Sequence, residues 1–510
     1  MSDNIGNNKR IAKNTIFLYI RMLLVMGVGL YTSRVVLDKL GVVDYGLFNT
    51  VAGVVGMLTF LSATLSTSTS RFLTYALGMR DDRKLKYTFC TAFYSHLILA
   101  LIVALLLETM GLWFVYNKLI IPPERLYASL WAFHISVFST FVAITQVPYT
   151  SVIIAHENMN IYAYIGIFEA VAKLVIVYFL VVTTSDRLIL YSILYGIVQF
   201  LIAMFYRGYC IRHYEESHLV QRFDRDIFRQ MVSFSGQSLI ANVANILSTQ
   251  GIIVLINLFF SSTIVAAQAI GNQISGALMQ FVSNLQTAIN PQIIKLYASG
   301  DYEAFRKLTL NSSVYVHELL LLLALPAIVV MEPLLDLWLV DVPPYAVVFA
   351  QFILLRQILS VYSSTLYVPM VASGRLKSNS VAAVWIGIGS FILLYLLLKM
   401  GLGVMWVQYI GVLSIVLFSY IIKPYILCRE IGFTWNEILA SFMQCAKVSV
   451  FPVAASFACY HLMNIHQIGY MLLACVCICF TVCVTAYANL DKTTRLKLNA
   501  FIGSKMKNDG

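Results

Sequence analysis

Arg21 and Arg356 carry the strongest chemical suggestion in this 510-residue chain, because each places a guanidinium deep inside a long apolar run. A guanidinium holds its proton at any physiological pH, and its planar fork meets two phosphate oxygens at once. Two such groups facing a wet cavity with few acids nearby suit a phosphate or pyrophosphate head, whereas a cationic cargo would need the opposite sign. Arg356 has no acid three or four residues away, and Arg21 shares its helix face with Asn14 and Thr32. Arg34, Arg71, Lys173 and Lys447 also lie in apolar runs, against the acids Glu108, Glu169 and Glu318. Each charge near a bilayer centre costs at least about 2.5 to 3.5 kcal/mol, so it needs a partner, water or a function. Arg34 and Arg71 stand near run ends, where snorkelling explains them as well as cargo binding does, and Lys447 reads as a snorkelling residue. Glu169 and Lys173 are four apart in the order that favours an ion pair. His317 beside Glu318 could take up and release a proton, or could be a core histidine with a hydrogen-bonded acid for a neighbour. These four residues are the ion-coupling candidates.

Polar stripes accompany the charges. Thr59, Ser62, Ser66 and Thr69 recur at i, i+3, i+7 and i+10, and so do Gln280, Ser283, Thr287 and Asn290. That spacing confines each set to one narrow helix face. A third stripe runs through Ser238, Asn242, Asn245 and Thr249. An unpaired amide or hydroxyl facing lipid costs a few kcal/mol, so these faces meet each other or water. Asn242, Asn245 and Gln280 therefore join Arg21, Arg34, Arg71 and Arg356 as candidate cargo-binding residues.

No P-loop, dinucleotide fingerprint, HExxH or GxSxG motif occurs, so no catalytic residue is expected and transport must draw on a gradient or the membrane potential. The nine cysteines are an odd count, and Cys475, Cys477, Cys479 and Cys483 point around one helix, which excludes a metal box and reads as buried thiols. No cofactor is expected; a proton or Na⁺ is the candidate coupling ion.

The elements that must carry these residues are membrane helices. Fourteen apolar runs approximate to 12–37, 46–77, 87–116, 126–155, 160–183, 187–211, 228–259, 263–297, 304–331, 345–372, 379–399, 403–424, 437–461 and 466–488. About 20 residues suffice to span the hydrocarbon, so each run is long enough. Twenty-four Lys and Arg fall in one set of alternate gaps and the tails, Arg207 and Lys423 among them, against five in the other set. By the positive-inside tendency both termini are cytoplasmic, as an even count of spans requires. A composition 60% apolar and 12% charged agrees, as does a mean hydropathy of +0.80. The net charge of +11 lies mostly in cytoplasmic loops, where anionic membrane lipids are the natural partner and no nucleic acid is needed.

A shift of 221 residues lays the first half on the second: Val147–Pro148 falls on Val368–Pro369, the Thr59 stripe on the Gln280 stripe, Asn14 on Ser235 and Arg21 on Asn242. Six spans per copy is even, so the copies share one orientation, as in transporters built from parallel repeats. The expected organisation is all-α: a first lobe over 1–211, a cytoplasmic linker over 212–227, a second lobe over 228–424, and two further helices with a tail over 425–510.

The stretch Arg10–Thr15, the segment TSRVVLDKLGVVDYG from Thr32 to Gly46, Ser70–Leu73, Asn290–Pro291 and Gly300–Asp301 resemble the lipopolysaccharide or O-antigen flippases of the multidrug/oligosaccharidyl-lipid/polysaccharide (MOP) exporter superfamily. The resemblance implies two six-helix lobes in a V like that of the MATE transporters, two C-terminal helices, and alternating access. It implies a bacterial inner-membrane protein that moves an undecaprenyl-diphosphate-linked oligosaccharide outward, working beside polysaccharide polymerase or assembly machinery. By the same resemblance Arg21 is the best match to a diphosphate-contacting cation, followed by Arg34 and Arg71. A cation-coupled multidrug or small-molecule antiporter of the same fold is the alternative. A membrane-embedded glycan polymerase or acyltransferase is disfavoured, since the widest outer gap is only Glu332 to Pro344.

Overall fold

The computed structural model describes residues 2–79, 81–156, 158–182, 185–220, 222–233, 246–490 and 495. Side chains are described from Met22 onward, apart from residues 60, 61, 63, 64, 67, 78, 159, 160, 162, 163, 248, 287, 288, 291 and 298. The chain forms two compact units, one of Met1–Ala269, Leu339–Ala346 and Ala383–Val407, the other of Ile270–Trp338, Val347–Ala382 and Gln408–Gly510.

The first unit opens with α1, Ser2–Gly56, which is two helices joined at Gly41 with φ 79° and ψ 164°. A residue with a β-carbon is strained there, so glycine supplies the corner between the first two apolar runs. The second run, continuous in hydropathy, is itself divided: Met57 and Leu58 form a turn before α2, Thr59–Gly78. Asp81 caps α3, Asp82–Leu106, which continues through a π-helical turn at Leu107–Gly111 into α4, Leu112–Asn117. Then follow α5 (Leu126–Ala155), α6 (Met159–Val182) and α7 (Arg187–His213), the last capped by Asp186. Residues 225–233 are helical and are labelled α8, and α9 spans Ile252–Phe259. Gly46 allows α1 to approach the next helix closely, because a β-carbon there would lie 1.8 Å from the Ser262 carbonyl oxygen.

Next comes α10, Ser262–Ala298, which begins in the first unit and continues into the second. It precedes α11 (Tyr302–Val329), α12 (Met331–Trp338), α13 (Ala346–Thr365) and α14 (Val368–Ser373). α15 is Lys377–Lys399, α16 is Trp406–Val416, and α17 is Lys423–Ile426 with π-helical turns on either side. α18, Trp435–Leu462, starts with a capping box in which Thr434 and Glu437 satisfy each other's backbone amides. It packs with α19, Ile468–Asn489, against α11. Phe305, Tyr362, Leu427 and Phe433 sit in the core of this unit.

Among the described residues, ten helices are long and apolar enough to cross a membrane. They correspond to ten of the fourteen apolar runs; α1, α2 and the polar-striped α10 are not among them. The starts of α3 and α11, α5 and α13, α6 and α15, and α7 and α16 each fall within three residues of the 221-residue offset, and Gly41 falls on Ser262, where α10 begins. Two further matches at the same offset are Pro122–Pro123, which falls on Pro343–Pro344, and His96, which falls on His317.

Candidate functional site

Arg356 occupies the middle of α13, where its guanidinium lies against the backbone of α16: a β-carbon on Gly411 would come within 2.8 Å of its Cζ. Its Nε is buried without a hydrogen-bond partner. No ion pair among the described residues includes Arg356. An uncompensated cation inside an apolar helix layer calls for an anion or water. Gln280 is exposed on α10. Arg34 on α1 and Arg71 on α2 are also exposed. Arg21 stands on α1, but its side chain lies outside the described residues, and so do Asn242 and Asn245.

The Thr59 stripe does not behave as one open face. Thr69 is buried, and its hydroxyl lies 3.1 Å from Nε2 of His96 on α3. Pro148 has no amide to bond the Ile144 carbonyl one turn earlier in α5, and His96 lies near that carbonyl. Its Nδ1 stays without a partner close enough for a hydrogen bond.

Glu169 and Lys173 form the ion pair that their spacing anticipates, at 2.8 Å, each side chain about a third exposed. Glu108, on the π-helical turn after α3, pairs with His134 of α5 at 2.9 Å. His317 and Glu318 have separate partners. His317 Nε2 lies 3.0 Å from the Ser449 hydroxyl of α18, while Glu318 accepts from Asn489 of α19 at 3.3 Å. His317 and Ser449 border an apolar cavity of about 530 Å³, whose other polar groups, Gln351 and Tyr420, bond to the carbonyls of Ile328 and Leu359.

Two cations counted from the sequence as loop residues belong inside helices. Arg207 lies in α7 and donates to the Thr145 hydroxyl at 2.6 Å, with its guanidinium 5.8 Å from the Tyr149 ring. Lys423 is only 6% exposed; its Nζ donates to the Ser363 carbonyl at 2.7 Å and lies 5.1 Å from the Phe418 ring. Both already lie within the apolar runs 187–211 and 403–424, near their ends, and only the count of cations by gap had set them outside.

At the opposite end of the first unit Arg125 grips two carboxylates, Asp44 at 2.5 and 2.8 Å and Asp186 at 2.6 and 3.1 Å. The Arg125 hydrogen bonds hold the Asp186 carboxyl below its ordinary value, while burial pushes the Asp44 carboxyl up against the same pull. Sequence spacing offers no signal for this cluster, because its members lie 61 and 81 residues from Arg125.

Residues 11–297 match the profile of a family described as "Polysaccharide biosynthesis protein". No curated protein matches the sequence of the chain. Among solved structures, a lipid II flippase MurJ in its inward closed conformation superposes with a TM-score of 0.68 at 12% identity, covering 94% of this chain and 98% of that one. An inward-facing multidrug resistance MATE family transporter of the MOP superfamily gives 0.58 at 11% identity, covering 84% and 94%. A MOP superfamily transporter from Pyrococcus furiosus, whose binding pocket is described as reversed in polarity, gives 0.59 at 12% identity, covering 85% and 96%. The fold is that of the MOP superfamily transporters.

Proposed function

The chain belongs to the polysaccharide biosynthesis protein family, and from that premise we propose that it flips a lipid-linked oligosaccharide across a bacterial inner membrane for surface polysaccharide or lipopolysaccharide assembly. Its cargo is a polyprenyl-diphosphate oligosaccharide, carried outward by alternating access. The single observation that supports this most is Arg356, a deeply placed guanidinium with no carboxylate partner among the described residues. Arg21 and Arg356 bind the diphosphate. Arg34, Arg71, Asn242, Asn245 and Gln280 complete the cargo surface. The proposed architecture has fourteen spans with both termini cytoplasmic: two six-helix lobes offset by 221 residues, then α18 and α19. The matching helix starts of the two halves support it. Polysaccharide polymerase or assembly machinery is the proposed partner.

Arg21→Ala and Arg356→Ala in a strain that needs this protein for surface polysaccharide test the reading. Each is expected to cut export at least tenfold at normal protein abundance, and full export in both removes the diphosphate role. A cation-coupled antiporter is the second reading, favoured by the MATE-like fold and by the membrane-embedded acids Glu169 and Glu318. Extrusion of a cationic dye that requires either acid, with surface polysaccharide intact, selects it. Glu169, Lys173, His317 and Glu318 are the proposed coupling residues under either reading.

A further inference from the structure

The segment that follows α7 is pinned to the first unit at several points, and what it leaves outward has a chemistry of its own. Tyr214 stacks on His156 at 4.3 Å and receives a hydrogen bond from Asn158, and Glu216 lies 2.6 Å from His156. Farther on, the Asp224 amide donates to Thr91, and the Arg222 guanidinium donates to the Tyr87 hydroxyl at 2.8 Å while lying over its ring. In α8, Ile227 and Met231 turn inward onto Leu65, Phe72, Ala92 and Leu99. The Ser68 hydroxyl ties down the Met231 carbonyl. One turn apart on the other face stand Arg225, Phe228, Arg229 and Val232, a spacing that puts them on one side of the helix.

That face borders a hollow of about 530 Å³ with Phe223, which packs against Phe228 at 5.2 Å. A second hollow of about 360 Å³, sharing Phe223 and Arg225, adds Tyr87, Arg222 and Asp224. The Asp224 carboxylate is already committed, accepting from the amides of Asp226 and Ile227 as the cap of α8. None of Arg222, Arg225 and Arg229 takes part in an ion pair among the described residues. Leu219, Val220, Phe223 and Val232 are all exposed beside them. Bare aromatic and aliphatic side chains interleaved with guanidinium groups that no carboxylate among the described residues neutralises, on a segment linking membrane helices, match the boundary where acyl chains meet phosphate heads.

We propose that Arg222, Arg225 and Arg229, with Phe223 and Phe228, form a binding site for an anionic phospholipid of the adjoining leaflet. The phosphodiester is held by the guanidinium groups, and the upper acyl chain lies along the two phenylalanines. Charge complementarity selects this occupant: the arginines offer donors in forks that fit phosphate oxygens, and the aromatic wall offers nothing to a sugar-free soluble anion. The site shares no residue with the proposed cargo surface and does not depend on the flippase reading.

The test uses the full-length protein in nonionic detergent, with dioctanoyl phosphatidylglycerol and dioctanoyl phosphatidylcholine as probes in an equilibrium titration by microscale thermophoresis. The phosphatidylglycerol affinity is expected to fall at least tenfold in the triple variant Arg222→Gln, Arg225→Gln, Arg229→Gln. It is expected to change less than twofold in Lys307→Gln, Lys377→Gln, Arg429→Gln, which removes the same charge elsewhere, and to recover only in part when the three arginines become lysine, which restores the charge but not the fork. Equal loss in both triple variants, or no loss in the first, overturns the site. Farnesyl diphosphate, tried as a competitor, is expected to leave bound phosphatidylglycerol in place. Its displacement of the phospholipid in an arginine-dependent manner overturns the phospholipid assignment in favour of a diphosphate lipid. Surface polysaccharide export is a separate readout, so failure of this site leaves the flippase proposal standing, and the reverse holds too.

Discussion

Gly411 and Arg356 are matched: the guanidinium occupies the space that a side chain at residue 411 would need, with Cζ, Nε and Nη1 all within 2.9 Å of a β-carbon built there. Gly411→Ala therefore displaces the charge without opening a cavity. Export is expected to drop several-fold, and the double variant with Arg356→Ala to be no worse than Arg356→Ala alone, since both changes act on one group. Additive losses in a surface-polysaccharide assay would show that Gly411 matters for helix packing and not for the arginine.

Lys423 contributes bulk and one strong hydrogen bond, to the Ser363 carbonyl, but no ion pair among the described residues. Replacing a buried charge by an apolar chain of similar volume is often close to neutral. Lys423→Met is expected to stay within about 1.5 kcal/mol of the parent, whereas Lys423→Ala, which leaves a void, should cost about 2 to 5 kcal/mol. Thermal unfolding in detergent separates them; equal losses would assign the stability to the Lys423–Ser363 bond.

Arg125 joins Asp44 and Asp186 across three connections at one end of the first unit. Arg125→Ala is expected to destabilise by about 1 to 3 kcal/mol, the modest figure reflecting partial exposure. Asp186 also caps α7 through the Leu188 and Ile189 amides, so Asp186→Ala should cost more than Asp186→Asn, which keeps an acceptor for the cap.

Acid should undo the same cluster. The Asp186 carboxyl is held below its ordinary 3.8 by Arg125. Its stabilisation is thus present above that pH and is lost as pH falls through the lower folded-state value. Unfolding temperature measured from pH 6 downward should decline less steeply below pH 4 in Asp186→Asn than in the parent; parallel curves would exclude Asp186 as a contributor.

Glu318→Gln preserves a partner for Asn489 but cannot titrate. Proton-coupled export is expected to slow several-fold with thermal stability unchanged. Unchanged export under an imposed pH gradient would remove Glu318 from the coupling proposal.

Much of the architecture is legible in the order of residues because lipid imposes its own grammar: a helix must be long and apolar to cross, and every backbone group must be satisfied within it. Ten of the apolar runs meet helices that fit a membrane, and the Glu169–Lys173 pair follows from helical spacing alone. Four pairs of helix starts fall within three residues of the offset read from Pro148 and Pro369. What the sequence could not disclose concerns contacts between distant segments. Nothing local says that Thr69 meets His96, that Lys423 ends on a carbonyl 60 residues earlier, or that Arg125 gathers Asp44 and Asp186. Hydropathy reports how much of a residue prefers lipid, and helical period reports which face it occupies. Which neighbour shares that face is chosen only when the helices pack, and there the partner of each polar group, and so its cost or its use, is decided.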